Sequence, residues 1–201
     1  SVKDASAVKN VAKILDLFKN EKLVIVISAM GKTTNALEDV MKSYWNGDGK
    51  PDELVDGIHA YHMKIIEDLF GAGKSDIQRD ITTVLLNLRQ RFKKQKPSEN
   101  YNFEYDQIIS LGEVISTKIV AAYLQEQNFK CAWLDARKMI RTTDKWREAN
   151  IHWEKTEELV TAAVNKEFSD GNTVVITQGF LGHTREGFTT TLGREGSDFT
   201  A

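Results

Sequence analysis

Apolar residues follow two different patterns along the chain, continuous runs and helical spacing, and each pattern predicts a different kind of element. A continuous apolar run, LVIVISA, extends from Leu23 to Ala29 and is typical of a buried parallel strand. The runs CAWLD and NTVVITQGF predict two further strands later in the chain. Helical spacing marks the segment before the first run, with apolar residues at Val8, Val11, Leu15 and Phe18.

The region between the first two predicted strands, residues 34 to 129, carries almost no strand signal. Its apolar positions instead predict successive helices, one of them running from about Phe103 to Gln127. Another helical stretch, EKTEELVTAAVNKEF, separates the second and third strands. Strands that alternate with helices predict an α/β fold with a mainly parallel sheet and a large helical insertion between its first two strands.

Charge and composition exclude several classes of function. The 201 residues include 27 Lys and Arg against 29 Asp and Glu, so no overall field favours nucleic acid or an anionic membrane. The single cysteine, Cys131, excludes an internal disulfide and lies in an apolar run that favours a core position. No apolar stretch reaches the roughly 20 residues of a membrane span, and the N-terminus lacks a signal-peptide pattern, so we expect a cytoplasmic protein.

Two segments imitate a phosphate-binding P-loop, ISAMGKTTNAL and GAGKSD. The motif requires a glycine five residues before its Gly-Lys pair, and those positions hold Val26 and Asp68. Both segments therefore fail as P-loops. The first remains a strand-to-helix turn whose backbone N–H groups could bind an anion, so a plain capped turn and a ligand-facing turn both stay open.

Two acidic residues lie where a ligand could reach them. Glu113 shares one side of a helical pattern with Ile109 and Thr117, so it either reaches water at the edge of the buried stripe or is a buried anion held for a cation. The periodicity alone slightly favours the first interpretation. Asp135 follows a predicted strand with several basic residues close behind, a pattern that by itself favours a structural role.

The final segment, TQGFLGHTREGFTTTLGREGSDFTA, predicts a strand, a glycine turn, a hairpin and the start of a helix. Gly193 and Gly196 permit close approach of a ligand. Arg194 can bind a carboxylate or phosphate with two parallel hydrogen bonds, and Ser197 or Asp198 can cap the helix. So many anion-binding groups after one strand predict a functional site.

These segments together resemble the aspartate kinases of the amino-acid kinase family. The resemblance rests on VIVISAMGKTTNAL, SLGEVISTKIVAAYL, WLDARKMIRTTD and the final segment, which follow the family's order along the whole chain. It implies a mainly parallel sheet sandwiched between helical layers. It also implies transfer of the ATP γ-phosphoryl group, with Mg²⁺, to the β-carboxylate of L-aspartate on the route to lysine, methionine and threonine.

The resemblance also implies roles for individual residues. Glu113 would pair with the α-ammonium group of aspartate, and Arg194 would bind its α-carboxylate. Asp198 would be catalytic by orienting lysines that neutralise charge on the phosphoryl group. The implied substrate-binding residues are Ser28, Thr34, Glu113, Phe180, Arg194 and Ser197.

Two parts of the family pattern do not occur in this sequence. The family opens with a strand bearing Lys-Phe-Gly-Gly-Thr-Ser, whereas this chain begins SVKDASAVKN, and the family's nucleotide-binding half and regulatory domains follow the GSD motif. We therefore expect residues 1–201 to be the N-terminal, aspartate-binding part of a kinase domain, inactive alone, with the ATP site mostly outside it. The full-length protein would bind ATP and Mg²⁺ and form a homo-oligomer.

Two alternatives stay open at this point. A related kinase could act on glutamate, N-acetylglutamate or carbamate. Glu113 distinguishes substrates with a free amino group from those with a blocked one, because a blocked amino group offers it no ammonium partner. A non-catalytic module that binds an amino acid is the other alternative. The sequence leaves open the feedback inhibitor, the oligomeric state and any fusion to homoserine dehydrogenase.

Overall fold

The computed structural model of the chain describes residues 2–73, 75–193 and 196–201. Within them the strands are β1 (Leu23–Ile27), β2 (Cys131–Trp133), β3 (Val174–Gln178), β4 (Leu181–His183) and β5 (Thr189–Thr191). The helices are α1 (Ala5–Asp16), α2 (Thr33–Asn46), α3 (Pro51–Phe70), α4 (Ser75–Lys94), α5 (Tyr101–Ile109), α6 (Leu111–Glu126), α7 (Trp153–Ser169) and α8 (Gly196–Thr200).

The main sheet is parallel and has the order β1–β3–β2. Leu23 and Cys131 both lie opposite Val174, so β3 is hydrogen-bonded on both sides. All five residues of β3 are buried, which explains why its first three, Val174 to Ile176, are apolar without alternation. The predicted parallel sheet is confirmed, and β4 and β5 form the predicted antiparallel hairpin.

The large insertion between β1 and β2 consists of helices α2 to α6. Helix α6 packs against all three strands of the sheet, and it is apolar nearly all round because other helices surround it. Ile115, Ile119 and Leu124 on this helix are fully buried in the main core. Helix α7 contacts β3, so helices cover the sheet as the resemblance implies.

The single helix expected from Phe103 to Gln127 is divided at Ser110 into α5 and α6. The Ser110 hydroxyl donates a hydrogen bond to the Gln107 carbonyl at 3.4 Å, a local bond that competes with the helical ladder.

Together, α5 and α6 (Tyr101–Glu126) are long and apolar enough to cross a bilayer by length and composition, contrary to the expectation that no apolar stretch reaches the length of a membrane span. However, 78% of the most apolar window is buried inside the protein, as is usual for a helix at the centre of a core.

Candidate functional site

The carboxyl ends of β1 and β3 lie side by side at one edge of the sheet. Ile27 and Gln178 are the last residues paired between them, and the Gly179 N–H donates to the Ile27 carbonyl at 3.1 Å. Ser28 and Phe180 therefore emerge next to each other. Ligands of open α/β sheets collect outside the carboxyl ends of strands, so this edge is the candidate site.

Glu113 reaches this edge from the first turn of α6. Only 4% of the residue is exposed, so the interpretation that it reaches water is wrong. Its Oε1 accepts a hydrogen bond from the Ala29 N–H at 3.3 Å, and its buried Oε2 has no hydrogen-bond partner within the described residues. Burial raises the pKa of Glu113 to about 7. The geometry is that of an anion with one oxygen available to a cation.

The turn between β1 and α2 is attached closely to α6. The Ser116 hydroxyl donates to the Ser28 carbonyl at 2.8 Å. Gly112 packs so tightly that an added Cβ would lie 3.0 Å from the Ala29 Cβ. Thr34 is partly buried in the first turn of α2 and follows this turn directly. Helix α6 therefore holds the turn between β1 and α2, which lacks the first glycine of a P-loop, at the site.

The final short helix, α8, packs against the same strand ends. The Ser28 hydroxyl donates to the Ser197 hydroxyl at 2.9 Å. Phe180 has a positive φ of 71°, and its N–H donates to the Thr200 hydroxyl at 3.2 Å. An added Cβ on Gly179 would lie only 2.8 Å from the Ser197 Cα, so only a glycine permits this approach.

Most of the predicted substrate-binding residues meet at this edge. The structure brings Ser28, Glu113, Phe180 and Ser197 together around the ends of β1 and β3. Helix α8 begins at Gly196, so Ser197 and Asp198 lie inside it and the expectation that either residue is its N-cap is wrong. Asp198 is exposed to solvent. Arg194 lies outside the described residues.

Sequence reasoning missed two buried polar residues that organise this region. Gln178 at the end of β3 accepts a hydrogen bond from the Ala136 N–H at 2.7 Å and donates to the Thr117 hydroxyl at 2.8 Å. Asp106 on α5 is fully buried and accepts three hydrogen bonds from distant segments. For Gln178 the available signal was a polar residue at the end of a largely apolar strand, whereas α5 carries several polar residues and gave no such signal for Asp106.

A cleft of about 820 Å³ opens beside the site. Phe180, Gly193, Tyr105 and Arg147 are among the residues that line it. The Arg147 guanidinium stacks over the Tyr105 ring at 4.2 Å, and the Tyr105 hydroxyl donates to Glu38 at 2.8 Å. The cleft is polar and open enough to admit a small charged molecule.

Asp135 and Cys131 have the structural roles that the sequence favours. The Asp135 carboxylate accepts two hydrogen bonds from the Arg137 guanidinium, at 2.8 and 2.7 Å, and it caps the short turn that follows β2. Cys131 is buried, and burial raises the pKa of its thiol to about 12, which makes it a poor nucleophile.

The family assignment follows from comparison with known proteins. The sequence profile of the amino acid kinase family matches residues 1–201. The chain belongs to the amino acid kinase family. This family member is 31% identical over 203 residues to lysine-sensitive aspartokinase 3 of Escherichia coli K12, covering all of this chain and 43% of that protein. It is 34% identical over 209 residues to the chloroplastic aspartokinase 1 of Arabidopsis thaliana, covering all of this chain and 35% of that protein.

Solved structures agree with this assignment. The E. coli aspartokinase III structure in complex with aspartate and ADP has a TM-score of 0.87 at 30% identity, over all of this chain and 43% of that one. Clostridium acetobutylicum aspartate kinase has a TM-score of 0.73 at 24% identity, over all of this chain and 41% of that one, which supports the fold alone. The chain therefore spans less than half the length of the aspartokinases to which it is similar.

Proposed function

We propose that this amino acid kinase family member is the aspartate-binding part of an aspartate kinase. The full enzyme would transfer the ATP γ-phosphoryl group to the β-carboxylate of L-aspartate, the first step toward lysine, methionine and threonine. The observation that carries the proposal is the Glu113 carboxylate, buried at the carboxyl end of β1 with Oε2 unpartnered. An unpaired buried anion is costly, and a substrate ammonium group would compensate for it.

The other proposed contacts complete a pocket for an amino acid with a second carboxylate. Arg194 would bind the α-carboxylate through its planar guanidinium. The hydroxyls of Ser28 and Ser197 now bond to each other at 2.9 Å, and either could turn toward the substrate. Thr34 and Phe180 would border the pocket from α2 and from the turn after β3.

Catalysis in this class is mostly positioning and electrostatic stabilisation of the transferring phosphoryl group. We propose that Asp198 orients lysines that neutralise this charge. No group of three or more His, Cys, Asp or Glu side chains that could hold a metal occurs in residues 2–73, 75–193 and 196–201. We propose that Mg²⁺ arrives with ATP, since Mg²⁺ is usually held by one or two carboxylates together with substrate phosphates.

The remaining features of the proposal concern the whole protein. Because the chain spans 43% of the E. coli relative, we propose that residues 1–201 supply the aspartate side of the kinase domain. The nucleotide-binding half and regulatory domains would lie in further sequence. The full-length protein would be a cytoplasmic homo-oligomer that uses ATP and L-aspartate.

The test measures which amino acid analogues bind, in protein expressed from the full reading frame. Succinate lacks the amino group of aspartate, and N-acetyl-L-aspartate has it blocked. Calorimetric titration should show each binding at least roughly tenfold more weakly than L-aspartate, since a charge-assisted hydrogen bond contributes about 1.5–3 kcal/mol. Glu113→Gln should remove most of that difference.

Two results would favour the alternatives. Tighter binding of N-acetylated or longer substrates than of L-aspartate would indicate a related kinase with a different acceptor. Aspartate binding without any aspartate-dependent ADP release would indicate a non-catalytic module.

A further inference from the structure

Asp106, in the middle of α5, is a buried carboxylate that has no part in the proposed aspartate pocket. It is 0% exposed. Its Oδ2 accepts hydrogen bonds from the Arg147 N–H and the Thr191 N–H, both at 3.0 Å. Its Oδ1 accepts a third from the Thr191 hydroxyl at 2.7 Å. One side chain thus binds two segments that are far from it in sequence.

The neighbouring residue of α5 binds the same strand. Gln107 donates from Nε2 to the Thr189 carbonyl at 2.7 Å and accepts from the Thr189 N–H at 3.3 Å. Two consecutive side chains of α5 therefore hold the backbone of β5. Asp106 and Gln107 thus attach the hairpin firmly to the helical insertion.

The second segment held by Asp106 is the loop of residues 144–149. Arg147 has a positive φ of 69°, a conformation that disfavours residues other than glycine. The hydrogen bond from its N–H to Asp106 compensates for this strain. The loop then packs on the end of β5: the Ala149 N–H donates to the Thr191 carbonyl at 3.0 Å, and a Cβ on Gly193 would lie 3.2 Å from the Arg147 carbonyl oxygen.

A continuous series of contacts joins β5 to the candidate site. The Leu192 N–H donates to the Phe180 carbonyl at 2.9 Å, and the Gly196 N–H donates to the Gly193 carbonyl at 3.1 Å. Gly196 lies so close to Phe180 that an added Cβ would be 3.0 Å from its ring. Ser197, the next residue, bonds to Ser28.

We propose that Asp106 is a positioning residue for the aspartate pocket. It fixes β5 and the 144–149 loop, and thereby places Gly193, Gly196 and the residues of α8 against the ends of β1 and β3. The expected effect of Asp106 on aspartate affinity rests on the proposed function. The anchoring of β5 itself does not depend on that function.

The arrangement predicts which substitutions Asp106 tolerates. Alanine would leave the backbone N–H groups of Arg147 and of buried Thr191 without this acceptor. Asparagine can satisfy all three partners, because its oxygen can accept from both N–H groups while its NH₂ donates to the Thr191 hydroxyl. Burial raises the pKa of Asp106 to about 6, so the carboxylate is ionised at pH 8, where we compare the variants.

Glu104 supplies a matched control on the same helix. It is 2% exposed, and its carboxylate accepts hydrogen bonds from Arg91 at 2.7 Å and from the Ser98 N–H at 2.9 Å. These partners lie at the end of α4 and in the loop after it, not in β5. Glu104→Ala therefore removes a buried carboxylate of the same kind without touching the hairpin.

The experiment compares Asp106→Ala, Asp106→Asn and Glu104→Ala in protein from the full reading frame. Both alanine variants should lower the melting temperature. Only Asp106→Ala should raise the aspartate KM, by roughly ten- to a hundredfold, because misplacing a binding group by about 1 Å has effects of that size. Its ATP KM should hardly change, and Asp106→Asn should restore the aspartate KM to near the parent value.

Amide hydrogen exchange gives a readout that needs no activity. Asp106→Ala should accelerate exchange in residues 189–193 and 144–149, whereas Glu104→Ala should leave both segments protected. If Asp106→Ala does not fold, Thr191→Val removes only the hydroxyl donor and should show the same pattern to a smaller degree.

Four outcomes would overturn the inference or separate it from the proposed function. An unchanged aspartate KM in Asp106→Ala would overturn the inference, and so would equal KM increases in both alanine variants. Unchanged exchange in residues 189–193 would overturn the anchoring itself. A parent protein that neither binds nor phosphorylates aspartate would contradict the proposed function, while the exchange pattern would still support or overturn the anchoring.

Discussion

At the scale of single residues, protein stability and substrate binding favour opposite charge states of Glu113. Its pKa is raised by burial from 4.5 to about 7, so the folded protein disfavours the charged form. As the pH rises, the Glu113 carboxyl ionises at a lower pH in the unfolded chain than in the folded protein. The free energy of unfolding therefore falls between about pH 4.5 and pH 7, by about 3 kcal/mol in total. The same ionised form is the one that would attract an ammonium group.

This conflict gives the proposed aspartate pocket a characteristic pH dependence. Below pH 7 the Glu113 carboxyl is mostly protonated in the free protein and offers no charge to the substrate. The aspartate KM should therefore fall by up to about tenfold between pH 6 and pH 8, the range in which the ionised fraction changes from roughly a tenth to nine tenths. Initial rates measured at several pH values would show this.

The matched variant is Glu113→Gln, which keeps the shape and removes the charge. Its aspartate KM should be ten- to a hundredfold higher at pH 8, for a loss of about 1.5–3 kcal/mol, and should no longer follow this titration. The ATP KM should stay near the parent value. A variant that retains the parental pH profile would show that Glu113 does not contact the substrate.

Arg194 is the other residue at which a substitution can change the shape of the side chain without changing its charge. Lysine retains the positive charge but loses the planar pair of donors that matches a carboxylate. Arg194→Lys should therefore weaken aspartate binding while circular dichroism shows an intact fold. Parental aspartate affinity in this variant would place the carboxylate-binding group elsewhere.

At the scale of elements, the site depends on glycines that let helices approach strand ends. Gly112 brings α6 against the turn after β1, and Gly179 brings α8 against the turn after β3. A Cβ on Gly179 would lie 2.6 Å from the Ser197 Cβ and 2.8 Å from its Cα, so backbone must move to admit it. An added side chain at Gly179 would thus displace α8, and one at Gly112 would push against the turn that carries Ser28.

Gly179→Ala should therefore displace α8 and raise the aspartate KM by roughly tenfold or more, since small misplacements at a site have large effects. Gly57→Ala is the control: Gly57 lies inside α3 with no atom within 4 Å of an added Cβ. It should stabilise the protein by about 0.8–1 kcal/mol through helix propensity and leave the aspartate KM unchanged. Calorimetric melting and steady-state kinetics check both, and a normal KM in Gly179→Ala would contradict the packing argument.

The elements themselves could be predicted because their signals are local. The runs that form β1 and β3 and the apolar stripes of the helices depend on neighbouring residues only. The environment of polar residues depends on contacts across the chain: the Glu113 carboxylate meets Ala29, 84 positions earlier, and Asp106 meets Thr191, 85 positions later. Periodicity therefore located Glu113 without predicting its burial, and it gave no reason to select Asp106.

At the scale of the whole molecule, the proposed residues are suited to binding aspartate more than to transferring phosphate. Among the proposed site residues, only Arg194 is a cation, and it would be engaged by the substrate carboxylate. Phosphoryl transfer needs further positive charge around the γ-phosphate. Those cations must come from elsewhere, which is consistent with relatives more than twice as long as this chain.

The 201-residue chain by itself should therefore show no aspartate-dependent ATP turnover, and it should bind ATP weakly. A coupled assay of ADP release with saturating aspartate and Mg-ATP, together with calorimetric titration of ATP, would test both statements. The full reading frame, assayed in parallel, should be active. Clear turnover by the 201-residue chain would show that its phosphate-binding groups lie within it.

The strand order β1–β3–β2 has a consequence for synthesis on the ribosome. The central strand is the last of the three to be made, and Leu23 must wait for Val174 to be translated before it gains its partner. At about 5–20 residues per second, that delay is on the order of ten seconds or more. During it, the nascent LVIVI segment lacks its β3 partner and can pair with other chains. A chaperone that covers this segment during the delay would prevent such pairing.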